Sequence, residues 1–175
     1  MNDMMLLVEP LIPALRRYAR SLLQDRTAAD DLVQDCLERA IRSWHQRRAN
    51  GDARTWMFTI LHNLAVNRMR QNARRGRHVP LADADDAALS RPPSQEEGLR
   101  QTELLRALNT LPDDQRSVLL LVSVEDLSYA EAAQVLDIPI GTVMSRLSRA
   151  REKLLRTMEG TTTAAAPGPA LRRIK

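Results

Sequence analysis

Apolar side chains at Leu32, Val33, Cys36, Leu37, Ala40, Ile41 and Trp44 recur at three- and four-residue intervals, the repeat of one helical face, with Asp30 before them as a candidate N-cap. A second face of the same kind runs through Trp56, Met57, Ile60, Leu61, Leu64, Ala65 and Met69. It follows a polar stretch from His45 to Arg54 in which Asn50-Gly51 signals a turn. An earlier helix from about Ile12 to Leu23 completes a three-helix bundle. Further along, Leu104, Leu105, Leu108 and Leu111 mark one helix and Pro112 begins another through Val124. Ser128-Tyr129-Ala130-Glu131 then has the S-x-x-E form of a capping box and opens a short helix to Leu136. Ser145 to Leu155 lies in a last helix. No strand-like alternation of useful length interrupts these patterns, so the chain is expected to be all-α.

Length and charge divide this string of helices. The 175 residues, 43% apolar, are enough for one ordinary domain or two small ones. Residues 1–78 carry 14 basic and 8 acidic side chains, 79–98 carry 1 and 5, 99–159 carry 8 and 9, and 160–175 carry 3 and 0. The second piece, VPLADADDAALSRPPSQEEG, is acidic, proline-rich and without helical period, and reads as a flexible linker between two helical domains, 1–78 and 99–159. Fully extended, its 20 residues reach roughly 70 Å, about the length of 20 base pairs. The linker would let the two domains work far apart or collapse on each other. The end, residues 160–175, reads as a disordered low-complexity tail.

The overall charge of +4 and a sequence pI near 10.0 favour an anionic partner. Nearly all the cations are Arg, Lys occurring only at Lys153 and Lys175. Such usage suits bidentate phosphate recognition, although a genome-wide compositional bias would produce it too. A single cysteine, Cys36, excludes a disulfide framework and a cysteine-based zinc cluster. No apolar run approaches the roughly 20 residues of a membrane span, and the start MNDMMLLVEP lacks the basic and long apolar stretches of a signal peptide. A cytoplasmic protein without membrane insertion is therefore expected. HExxH, GxSxG, GxxxxGK[ST] and GxGxxG are all absent, so no catalytic residue, metal site or cofactor is expected, and no enzyme.

The segment SYAEAAQVLDIPIGTVMSRLSRAREKLL carries the most specific pattern. Small Ala132 and Ala133, a tight break at Asp137-Ile138-Pro139, and then Val143 and Leu147 have helix-turn-helix spacing. Small residues let the two helices cross closely, and Asp tolerates the left-handed backbone conformation such a turn requires. On the second helix Val143, Leu147, Ala150 and Leu154 turn inward. Thr142, Ser145, Arg146, Arg149, Lys153 and Arg156 are left as a polar, basic surface that fits a major groove. Arg146 and Arg149 are the best candidates for phosphate or guanine contacts. A solvated helix face is the plain alternative for these cations, and the capping box, turn and small crossing residues weigh against it. In the N-terminal half, Asp31, Gln34, Asp35 and Glu38 form an acidic stripe opposite the apolar face of an otherwise basic module. That stripe would repel DNA and should face water or a basic protein surface.

LSYAEAAQVLDIPIGTVMSRLSRAREKL resembles the promoter-reading module of extracytoplasmic-function sigma factors. AADDLVQDCLERAIRSW and TWMFTILHNLAVNRMRQNARR resemble the core-binding and promoter-opening regions of the same family, so the likeness covers about residues 10–157. It implies a sigma region 2 bundle and a sigma region 4 helix-turn-helix. Asp31, Gln34, Asp35 and Glu38 would then meet core RNA polymerase, at the clamp helices of the largest subunit, with a further contact on the flap of the second-largest. The resemblance also implies that an unstacked base of the −10 element is captured by the loop Arg48 to Arg54, with Arg48, Asn50, Asp52 and Arg54, and by Asn63 on the next helix. Asn67, Arg70, Arg74 and Arg75 would hold the adjoining strand. Thr142, Ser145, Arg146, Arg149 and Lys153 would read the −35 duplex.

Two departures stand out. Met144 occupies a recognition-helix position where many relatives have a basic residue, and Asp137 replaces the commoner Gly of the turn. IPALRRYARSLL followed by HNLAVNRMR leans toward the general-stress subgroup, whose members are held by a small anti-sigma protein. Trp56 is expected in the core, and Phe58 is left open between core and base stacking. The expected partners are core RNA polymerase, promoter DNA and an anti-sigma factor. Competing readings are a stand-alone helix-turn-helix regulator acting as a homodimer, and a sigma-like mimic that sequesters an anti-sigma factor.

Overall fold

The computed structural model describes residues 2–47, 51–74 and 95–164. Among them the secondary structure is helical throughout: α1 (Asn2–Val8), α2 (Ile12–Leu23), α3 (Arg26–Ser43), α4 (Ala53–Arg74), α5 (Gln95–Asn109), α6 (Asp113–Ser123), α7 (Tyr129–Leu136) and α8 (Ile140–Ala164), with single 3-10 turns at Glu9–Leu11 and Trp44–Gln46. The all-α expectation holds.

In the N-terminal module α2, α3 and α4 pack on one another, and α1 adds Met4 and Val8 to their core. Gln24 closes α2 in the left-handed conformation (φ 56°), its N–H donating to the Arg20 carbonyl. Asp25 then starts α3, its carboxylate accepting the Ala28 N–H at 2.9 Å. This corrects the N-cap expected at Asp30, which instead lies inside α3 and pairs with Arg20 at 3.0 Å and Arg16 at 3.8 Å. The helix starts ahead of its apolar stripe because Ala28 and Ala29 carry almost no hydrophobic signal. Ile41, expected inward, is 58% exposed. At 100° per residue it lies roughly 100° from the centre of the stripe formed by Val33, Cys36 and Ala40.

Phe58, left open above, is fully buried, its ring edge-on to Tyr18 with centroids 5.5 Å apart. Trp56 lies half-buried against the core, edge-on to Trp44 at 5.7 Å.

The C-terminal module packs α5, α6 and α7 against α8. The capping box forms as predicted: Glu131 N–H donates to Ser128 Oγ at 3.2 Å, and Ser128 N–H to Glu131 Oε2 at 2.7 Å. Asp137 takes the left-handed conformation (φ 52°, ψ 50°) that ends α7, and Ile138 N–H closes the turn on the Ala133 carbonyl at 3.1 Å. Ala132 is buried, and Val143, Leu147 and Ala150 point into the core with Leu154 at its edge.

Two boundaries shift. The segment expected as linker through residue 98 is already helical from Gln95, and α8 runs to Ala164, into the expected tail. The rest of both segments lies outside the described residues. The two modules also join: α2 packs on α6 and α4 on α7, and the buried side chains of both form one continuous cluster.

Candidate nucleic-acid and polymerase interfaces

The acidic stripe of α3 reaches the surface. Asp31, Gln34, Asp35 and Glu38 are all exposed, because α3 spends its other side on Ala29, Leu32, Val33, Cys36 and Ala40. Asp31 is 3.7 Å from the Arg68 guanidinium, Gln34 donates to Glu38 at 3.4 Å, and Glu38 lies 3.6 Å from Arg42. Such exposed pairs are worth at most about 1 kcal/mol and can be exchanged for a partner's cations.

On α4 the spacing 63, 67, 70, 74 works as read: Asn63, Asn67, Arg70 and Arg74 are all exposed along one side. The loop before this helix is pinned at its start by Arg47, which stacks on Trp44 with its guanidinium 4.6 Å from the ring centroid and donates to the Gly51 carbonyl at 2.6 Å. Asp52 caps α4. Its carboxylate accepts from the Thr55 N–H at 2.8 Å, the Thr55 hydroxyl at 2.7 Å and the Arg54 N–H at 3.3 Å. Partial burial works to raise its pKa, but these hydrogen bonds outweigh it and hold the carboxyl below its ordinary range. Arg54, expected at DNA, turns the other way and donates to the main-chain carbonyl of Glu125 in the C-terminal module. Arg48, Asn50 and Arg75 lie outside the described residues.

On α8, Ser145, Arg149 and Lys153 are exposed, and Thr142 is half-buried at the first turn. Arg146 is committed elsewhere: its Nε lies 3.2 Å from Asp114 Oδ2, and its side chain keeps only 29% of its exposure. Arg146 and Arg70 line the same cleft of about 370 Å³ between the modules, with Asp113, Asp114, Ser117 and Leu136. The structure thus brings one residue of each candidate DNA surface to a single opening.

Three buried groups, of which His62 lines this cleft, gave no sequence signal. Tyr18 and His62 are buried and meet at 3.0 Å between the Tyr hydroxyl and His Nδ1. Burial lowers the His62 pKa to about 4, leaving the ring neutral at pH 7, and raises that of Tyr18. Glu125 has a side chain with no exposure, gripped by Arg17 at 2.8 and 2.6 Å. This hydrogen bonding is the main reason the Arg17 pKa is raised above its ordinary value.

Residues 8–62 match the model described as the Sigma2 domain of PhyR, and residues 101–154 match Sigma-70, region 4. The ECF RNA polymerase sigma factor EcfG of Rhodopseudomonas palustris is 40% identical over 144 residues, covering 82% of this chain and 78% of that one. The chain belongs to the extracytoplasmic-function sigma factors of bacterial RNA polymerase. The Escherichia coli ECF RNA polymerase sigma-E factor is 32% identical to this sigma factor, over 71% of the chain and 70% of its own. Among solved structures, the sigma factor RpoE of Bartonella quintana, in complex with the anti-sigma factor NepR, matches with 32% identity and a TM-score of 0.76. The match covers 91% of this chain and 98% of that one. CnrH, in complex with the cytosolic domain of CnrY, matches at 26% identity with a TM-score of 0.68 over 91% and 89% of the two chains. No helix among the described residues is long and apolar enough to cross a membrane.

Proposed function

We propose that this sigma factor acts in the cytoplasm as a promoter-specificity subunit whose residues divide the work by module. Asp31, Gln34, Asp35 and Glu38 grip the polymerase clamp. The α4 face of Asn63, Asn67, Arg70 and Arg74, with the loop through Arg48, Asn50 and Asp52 and with Arg75, takes the opened −10 strand. Ser145, Arg149 and Lys153, joined by Thr142 and Arg146, read the −35 duplex. The domains so assigned are the one expected over residues 1–78 and the one expected over 99–159, the latter with its helical ends at Gln95 and Ala164, and the acidic segment lies between them. The single observation that carries this reading is the separation of charge. An exposed acidic stripe stands on α3, while amide and arginine faces lie on α4 and α8, and one protein surface cannot attract both polymerase cations and DNA phosphates. The catalytic chemistry belongs to the polymerase.

Run-off transcription from a promoter library, with purified core polymerase and with or without the chain, tests the assignment. Transcripts that depend on the chain and share two upstream motifs are expected. Asp35→Arg should abolish core binding, while Arg149→Ala should weaken promoter use with core binding intact. Unchanged core affinity in the Asp35 variant would remove the acidic stripe from the account.

Control by a small anti-sigma protein is part of the proposal, supported by the relatives solved in complexes with NepR and CnrY. One observation favours a second reading, a mimic that binds an anti-sigma factor and no DNA: the N-terminal module matches a domain of PhyR, and PhyR of Bartonella quintana is an anti-anti-sigma factor. A mimic would yield no dependent transcripts in the same experiment, yet would relieve inhibition of another sigma factor.

A further inference from the structure

The first two turns of α8, the part of a recognition helix that meets base edges, present an apolar edge to solvent. Ile140 is 50% exposed and Met144 53%. Four positions apart, they are neighbours on the helix surface. Both stand outside the buried cluster that takes Val143, Leu147 and Ala150 from the same helix. Of the polar side chains in these turns, Ser145 donates its hydroxyl proton to the Thr142 carbonyl at 3.1 Å, and Arg146 is paired with Asp114 at 3.2 Å. Thr142 itself is half-buried.

A lone exposed apolar side chain is ordinary on a protein surface, but this pair is set apart by its neighbours. At 100° per residue, Ser148 and Ser145 lie about 40° and 100° round the helix from Met144, and Arg149 about 140°. All three are exposed. An arginine able to hold a phosphate or a guanine therefore shares one outer face with the apolar edge, and a duplex held by Arg149 brings its base edges to Met144. Gly141 lies on the same face. Glycine weakens a helix relative to alanine, and packing within the chain does not ask for it here, since an added Cβ would meet nothing within 4 Å among the described residues. Its bare backbone suits close approach from outside. Of the four bases only thymine offers the major groove a carbon group, the methyl on C5. The unbranched thioether of methionine, with three rotatable bonds, can follow such a methyl, and it has no donor for N7 or O6 of guanine. A lysine in its place would attract every phosphate alike and carry no preference for a base.

We propose that Met144, flanked by Ile140, is a specificity-determining residue that packs on the C5 methyl of a thymine in the −35 duplex. The inference rests on the promoter reading proposed above. It gives that reading a chemical selection at one base pair, made by hydrocarbon contact and not by a hydrogen bond. Burying one methyl group corresponds to about a fourfold change in affinity, and the preference vanishes when either the methyl or the methionine is removed.

The test uses a promoter drawn from the run-off library and the full chain assembled with core polymerase. Each thymine of the −35 element, on either strand, is replaced singly by deoxyuridine, which deletes the C5 methyl and leaves every hydrogen-bonding group in place. With the parent chain, deoxyuridine at one position should weaken binding about fourfold. Met144→Ala should melt as the parent does, bind the thymine duplex at least about fourfold more weakly, and no longer distinguish thymine from deoxyuridine there. Met144→Lys should lose the distinction too, while its affinity falls more steeply with salt, by about one unit in the logarithmic slope. Leu155→Ala removes another exposed apolar side chain about four turns further along α8 and should keep the parent's distinction. A −35 element without thymine on either strand, deoxyuridine tolerated at every position, or the same loss in the parent and in Met144→Ala would overturn the proposal. Unchanged promoter binding by Met144→Ala, with weaker capture by an anti-sigma protein, would overturn it in favour of a protein partner. Where no transcript depends on the chain, the comparison is made on a duplex selected from random DNA by the chain alone. A methyl effect lost in Met144→Ala would then uphold the thymine contact while the promoter-specificity reading falls, and failure to select any duplex would defeat both.

Discussion

The polar face of α4 and the recognition helix α8 carry similar side chains at similar helical spacing, yet the fold treats them differently. On α4, Asn63, Asn67, Arg70 and Arg74 all stay exposed, and the side of the helix behind them is clamped by Phe58, Leu61 and Ala65. On α8, Arg149 and Lys153 are open while Arg146, one turn before Arg149, is bound to Asp114 at the edge of the cleft. Helical spacing therefore decides which residues share a face, and the neighbouring elements decide which of them are free. An arginine already paired must give up that pair before it can bind a phosphate.

The buried side of α4 should be far more sensitive to substitution than its exposed face. Phe58→Ala removes a fully buried ring from between Tyr18 and the helix and should cost about 3–5 kcal/mol of stability in urea unfolding, while Asn63→Ala on the open face should cost almost nothing. Equal effects from the two would deny that α4 has a buried and a working side.

Acid provides the next largest effect. His62 has an ordinary pKa of 6.5 and a folded one of about 4, so the unfolded chain binds the extra proton between those values and stability falls as pH drops through that window. The loss approaches roughly 3 kcal/mol below pH 4. Because carboxylates titrate there as well, the measurement is the difference between the parent chain and His62→Gln, which should lack this component. Parallel pH profiles would mean that His62 is not held neutral beside the cleft.

The two arginines of α8 sharpen the contrast directly. Arg149→Ala should weaken binding to a promoter duplex by about 1–3 kcal/mol if its fork reads a base. Arg146→Ala should cost less, since the bound form already sacrifices the Asp114 pair, and Asp114→Asn should tighten binding by up to about fivefold. Identical losses at both arginines would make the Asp114 pair irrelevant. The smallest expected effect is local: Ser128→Ala removes half of the capping box of α7 and should lower stability by about 1 kcal/mol with little change in DNA affinity.

Much of this fold could be read from the chain because its determinants are short-range. The capping box at Ser128 and Glu131, the left-handed Asp137, the inward row Val143, Leu147 and Ala150, and the limits of α2 all follow from residues within a few positions of one another. Reading failed where the local signal was weak. Asp25 rather than Asp30 caps α3, with Ala28 and Ala29 masking the start of the helix in the sequence, and α1 lies in a segment too short to show a repeat. For the candidate sites, the exposed stripe of α3 and face of α4 were legible as periodicity. The commitments of Asp52 to its own helix end and of Arg54 and Arg146 to acceptors elsewhere were not.

The amino-acid sequence alone determined that this is an all-helical sigma factor with two modules in a set order, since helical period, caps and turns are local and the family's motifs lie in continuous segments. Only the tertiary structure decided which faces of the modules meet, that Tyr18 and His62 are sealed together, and that Glu125 is clasped by Arg17 and Arg54. Arg17 and Glu125 stand 108 positions apart. A glutamate after the apolar run of α6 looks like any surface carboxylate until a guanidinium from a distant helix makes its burial tolerable, and that compensation exists only once both elements are in place.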